Sequence, residues 1–151
     1  MNHNHIHTFA IALMVIITGL PIASCRTPRS PSRSYAESDT TERIVIISKL
    51  GKVADKGDRT AIKQLVNLAP KSDGGPAEGI YGILAGVAID HPQELISTLD
   101  ELPAESRSRV LKILLDVMPP ISRKLFESTL ANNSRTPTAK TWRSLSNSNP
   151  S

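Results

Sequence analysis

GIYGILAGVAI, residues 79–89, is the stretch whose reading decides the fold class. It carries no charge over eleven residues and is the most apolar run of the central region. What precedes it is a helix start. The loop KSDGG leads into Pro76, whose fixed φ suits a first helical turn, and Glu78 stands near the positive end of the helix dipole. We therefore expect a helix over 76–89. Gly79, Gly82 and Gly86 project toward one side of it. Each glycine lowers helix stability by roughly 1 kcal/mol relative to alanine. A compensating gain is expected from close approach of a neighbouring helix, since no Cβ separates the backbones. Gly82-x-x-x-Gly86 also fits a membrane-dimer pattern. However, eleven residues fall short of the roughly 20 that a spanning helix needs.

Working outward, the flanks have the same punctuation. Upstream, Ile46, Ile47, Leu50, Val53 and Ala54 recur at helical spacing, although the β-branched run RIVII leaves a strand open as an alternative. Gly57-Asp58 breaks the chain, and Asp58 can cap a second helix that buries Ile62, Leu65, Val66 and Ala69 and ends at Pro70. Downstream, Asp90-His91-Pro92 opens a fourth helix with Leu95, Ile96, Leu99 and Leu102. Pro103 and Glu105 open a fifth, with Val110, Leu111, Leu114, Val117 and Met118 inward. Pro119-Pro120 stops it, and a short sixth covers 121–130.

The fold class expected is all-α, with a helical domain at 40–130. It is either a small five- to six-helix bundle or a short αα-hairpin array. Pairing the helices gives a repeat of about 30 residues, a faint architectural likeness to HEAT- or TPR-type repeats without their residue signatures. Tyr81 and Phe126 are the aromatics of this region, so the core must be aliphatic.

Charge divides the chain. Residues 37–127 hold all 14 acidic residues and 12 of the 18 basic ones, a net charge of −2. The basic excess lies in the arms: Arg26, Arg29 and Arg33 before, and Arg135, Lys140 and Arg143 after. The high pI of 9.5 is thus read as a property of two flexible segments. Without a basic face on the domain itself, nucleic acid is not an expected partner. The stretch 26–39, RTPRSPSRSYAESD, has almost nothing to bury and reads as a disordered linker. The segment 131–151 reads as a disordered polar tail. Its Trp142 either docks on the domain, dips into a membrane interface, or has no role.

The N-terminus is a targeting segment. FAIALMVII, 9–17, is too short to span a bilayer and is closed by small residues, the pattern of a secretory signal peptide over 1–24. Ile22-Ala23-Ser24-Cys25 then resembles the lipobox of bacterial lipoproteins: a branched apolar residue three before a cysteine, with small residues between. The resemblance implies diacylglycerol on the Cys25 thiol, cleavage just before Cys25, and acylation of the new amine. Membrane lipid held through Cys25 is then the first partner. The single cysteine would be an awkward lone thiol in an ordinary exported protein. Arg26, where an aspartate would favour inner-membrane retention in enteric-type bacteria, implies a periplasm-facing anchor at the outer membrane if the source has one. The leader MNHNHIH departs from the family in having no Lys or Arg.

Chemistry is sparse. His91 is the only histidine after Cys25, and the Asp90-His91 pair lacks an adjacent nucleophile. No zinc or calcium ligand series is present, so neither metal nor cofactor is expected. Asp55 and Asp58 read as a capping turn, and Asp100-Glu101 as a solvated face. Gly74-Gly75 lacks the rest of a phosphate loop. The expected role is not enzymatic. It is a lipoprotein presenting a helical protein-interaction module, an adaptor or accessory factor with a protein partner. The alternatives are a periplasmic immunity or inhibitor lipoprotein and a structural envelope component.

Overall fold

The computed structural model describes Tyr35 and residues 38–148. The expected signal peptide, Cys25 and most of the expected linker lie outside the described residues. Seven α-helices form there: α1 (Thr40–Ala54), α2 (Arg59–Leu68), α3 (Gly74–Asp90), α4 (Pro92–Asp100), α5 (Ala104–Val117), α6 (Pro120–Asn132) and α7 (Pro137–Ser148). A 3-10 turn, Ala69–Lys71, follows α2. Among the described residues there is no strand, and the all-α class holds.

The helix starts follow the local chemistry. Glu42 N–H donates to Asp39 Oδ1 at 2.9 Å and Ala61 N–H to Asp58 Oδ1 at 2.8 Å, so each aspartate satisfies an orphan donor of a first turn. Pro92 and Pro120 occupy first helical positions, where no N–H is needed. RIVII lies inside α1 rather than in a strand. There Ile47 is buried while Ile44 and Val45 stay half exposed, a helical asymmetry.

Cross-helix contacts give the packing. A Cβ built on Gly51 would lie 2.7 Å from Ile83 Cδ1, and one on Gly79 would lie 3.6 Å from Ile47 Cγ2. Both contacts pair α1 with α3 at an offset of 32 residues, so the two helices run parallel. Arg59 donates to Ser97 Oγ at 2.9 Å and to Glu101 Oε1 at 2.8 Å, and Lys63 donates to Glu101 Oε2, which sets α2 parallel to α4. These two cations hold the Glu101 carboxyl below its ordinary range. The hairpins α1–α2 and α3–α4 therefore stack side by side in one direction. α5 packs on α3 and the 3-10 turn, α6 on α3 and α4, and α7 on α5, α4 and α6.

The core is mainly aliphatic, with Ile62, Leu65, Ile80, Leu84, Leu95, Leu99, Leu111 and Leu114 fully buried. Four expectations are corrected. Within the expected disordered tail 131–151, residues Pro137–Ser148 form α7, because Trp142 buries to 2 % exposure and carries the helix with it. Tyr35, in the expected linker, is 3 % exposed; its hydroxyl hydrogen-bonds Ser72 Oγ at 2.8 Å and its ring faces the Arg43 guanidinium. Val117 is half exposed rather than inward, because α5 ends there and Met118 turns into the core. Gly82 and Gly86 have open space beside them, so close packing does not explain them. The close approach is at Gly51 instead.

Candidate functional site

Cys25, the one site residue expected from the sequence, lies outside the described residues. His91 lies at the junction of α3 and α4. Its Nε2 lies 3.1 Å from the Asp55 carbonyl oxygen. Its ring fills the space beside Gly57, whose φ of +79° only glycine adopts easily. The histidine is a clasp between the α1–α2 turn and the α3–α4 junction. Asp58 is a helix cap as expected. Asp100 does more than face solvent: its Oδ1 accepts from Thr138 N–H at 2.7 Å and from Thr138 Oγ1 at 2.6 Å, tying α4 to the start of α7. Among the described residues no three His, Cys, Asp or Glu side chains cluster as a metal site, and no helix is long and apolar enough to cross a membrane.

Two of the concavities among the described residues bear on function. One lies between the 3-10 turn, α3 and α5, with a volume of about 680 Å³. Its α5 wall carries two acids, Glu105 and Asp116, and two cations, Arg109 and Lys112, which leaves it without a net charge. Tyr81 at its floor donates weakly to the Ala69 carbonyl at 3.4 Å, and Arg109 caps the Pro70 carbonyl at 3.2 Å. Burial pushes the Tyr81 phenol up, and Arg109 partly opposes that.

The other is a groove of about 430 Å³ between α6 and α7. Leu130, Ala131, Ala139 and Trp142 give it an apolar floor, with Glu127 and Arg143 at its edges. Trp142 is fixed on two sides. Its ring meets Phe126 edge-on, centroids 5.3 Å apart, and its Nε1–H donates to Glu127 Oε1 at 3.3 Å. Arg143 donates to the Ala139 and Ser134 carbonyls. Ser146, also lining the groove, has a buried hydroxyl with no partner. A preformed apolar floor with a few oriented polar groups suits a ligand or an inserted side chain, so this groove is the candidate site.

Sequence reasoning missed it because α7 has no long apolar run. The signal was present in Thr138, Ala139, Trp142 and Leu145, whose helical spacing marks one packed face. No family model matches the chain, and no curated protein or solved structure matches it either.

Proposed function

We propose that this chain is a lipid-anchored protein of the bacterial envelope that presents a helical module to a protein partner, with the α6–α7 groove as the docking surface. The observation that carries the reading is Ile22-Ala23-Ser24-Cys25, placed between an apolar run and a polar linker. A thioether-linked diacylglycerol on Cys25 and an acyl chain on its amine would anchor the module, each buried CH₂ contributing about 0.8 kcal/mol. Tyr35 is held against Ser72, and nine residues, 26–34, separate it from Cys25 in the sequence. A flexible chain of that length would have a root-mean-square span of roughly 15–18 Å. The groove supports the second half of the reading, because it is a concavity on the body with exposed Ala131 above a buried apolar floor.

The test is isolation of the membrane-extracted chain with whatever it holds, comparing the natural protein with Ala131→Trp. Ala131 is exposed and lines the groove, so a bulky side chain there fills the groove without entering the core. A partner retained by the natural chain and lost from the variant is the expected result. Identical retention by both would remove the groove from the account. A single retained partner with enzymatic or toxic activity would replace the adaptor role with inhibition.

A further inference from the structure

Ile121 is the most exposed large apolar side chain among the described residues, at 76 %. Leu125, one turn further along α6, is 53 % exposed, and the i,i+4 spacing sets the two on one side of the helix. Lys124 and Ser128 are exposed beside them. Val117, Pro119 and Pro120, which lead into this side, are exposed as well. The opposite side of α6 is spent on the core through Phe126 and Leu130. Neither Ile121 nor Leu125 lines the two concavities described above, so both stand on the outside of a helix rather than in a slot.

The exposed charge on this part of the body has one sign. Within residues 119–148 the exposed charged side chains are Lys124, Arg135, Lys140 and Arg143, all cations. Glu127, the one carboxylate there, is half-buried and accepts from the Trp142 indole. Asp116, the nearest exposed acid in sequence, lines the cavity between α3 and α5. The outer side of α1 also exposes apolar side chains, Ile44 and Val45. However, α1 belongs to residues 38–118, whose net charge is −2, and exposed Asp39 and Glu42 stand at its start. Apolar side chains on the outside of a helix, with cations and no exposed acid beside them, are complementary to an anionic lipid surface. The side chains enter the acyl boundary and the lysine meets phosphates. We infer that the outer side of α6, at Ile121, Lys124 and Leu125, lies against an anionic phospholipid bilayer. The inference rests on the lipid anchor proposed above, which keeps a bilayer within reach of the body. The contact is then effectively intramolecular, so two apolar side chains and a few cations suffice without binding lipid tightly on their own.

The full chain is placed in vesicles of equimolar phosphatidylcholine and phosphatidylglycerol brominated on their acyl chains, which quench an indole at the hydrocarbon boundary. Trp142, the only tryptophan in the chain, is buried and supplies the background. Leu125→Trp places a reporter on α6 and Val45→Trp one on α1; both positions are about half exposed, so neither variant disturbs the core. The expected result is strong quenching of the Leu125→Trp chain, and no more quenching of the Val45→Trp chain than of the natural one. Quenching on α6 should weaken as salt is added and in phosphatidylcholine alone. Lys124→Glu, added to Leu125→Trp, should lower the contact roughly fivefold. Equal quenching on α6 and α1, quenching indifferent to lipid charge, or none on α6 would overturn the inference. A Leu125→Trp indole shielded from acrylamide yet untouched by the brominated lipid would give the face to a second copy of the chain instead. Mass spectrometry of the N-terminus reads the anchor separately. An unacylated chain still quenched on α6 when vesicles are added would sink the anchor and spare the face, and an acylated chain without quenching would do the reverse.

Discussion

Glycines that look alike in the sequence have opposite meanings in the fold. Gly82 and Gly86 sit inside α3 with nothing within 4 Å of a built Cβ. Alanine at either should stabilise the protein by about 1 kcal/mol, read as a higher urea midpoint with unchanged slope. Gly57→Ala should do the reverse, by more than about 1 kcal/mol. It combines a φ of +79° with a Cβ 2.8 Å from His91 Nδ1. The glycine stripe was visible in the sequence, but its cause was misread there, because spacing gives a side of a helix and not what lies opposite. Tyr81 offers a titration at the same scale. Burial raises its pKa above the ordinary 10.0, so the fold favours the neutral phenol. The sign follows: stability from this group is complete below the ordinary value and is lost as pH rises through the folded one. Urea midpoints should fall on the alkaline side, and Tyr81→Phe should blunt that fall.

At the level of elements, helices with a strong apolar stripe and clear punctuation were legible. Asp58 before Ile62 and Leu65 marked α2, and Pro119-Pro120 marked the α5–α6 break. The helix α7 was not, because its packing comes from one indole and small neighbours rather than a long stripe. Its placement also depends on Asp100, far away in sequence, which no local pattern shows. Asp100→Ala leaves the Thr138 N–H and hydroxyl without their shared acceptor. We expect a loss of about 1–2 kcal/mol, with amide protection falling first in α7. Loss spread evenly over all helices would mean that α7 is held mainly by the Phe126–Trp142 contact. Tyr35 teaches a related lesson. A lone aromatic in a Ser/Pro/Arg segment reads as linker until its pocket beside Ser72 is known.

Over the whole molecule, residues 38–118 carry a net charge of −2, and α6 with α7, residues 119–148, carry +4 together with the groove. The acid–base segregation was partly legible from the sequence, where no acid follows Glu127. That the basic residues belong to a packed helix was not. The envelope role proposed for the chain presumes that this body stands beside a bilayer. The most direct test is mass spectrometry of the N-terminal peptide from the membrane fraction, the natural chain beside Cys25→Ala. The account predicts a natural chain that begins at Cys25 with a diacylglyceryl group on sulfur, and a variant released from the membrane. A natural chain that retains residues 1–24 and a bare Cys25 thiol would contradict it.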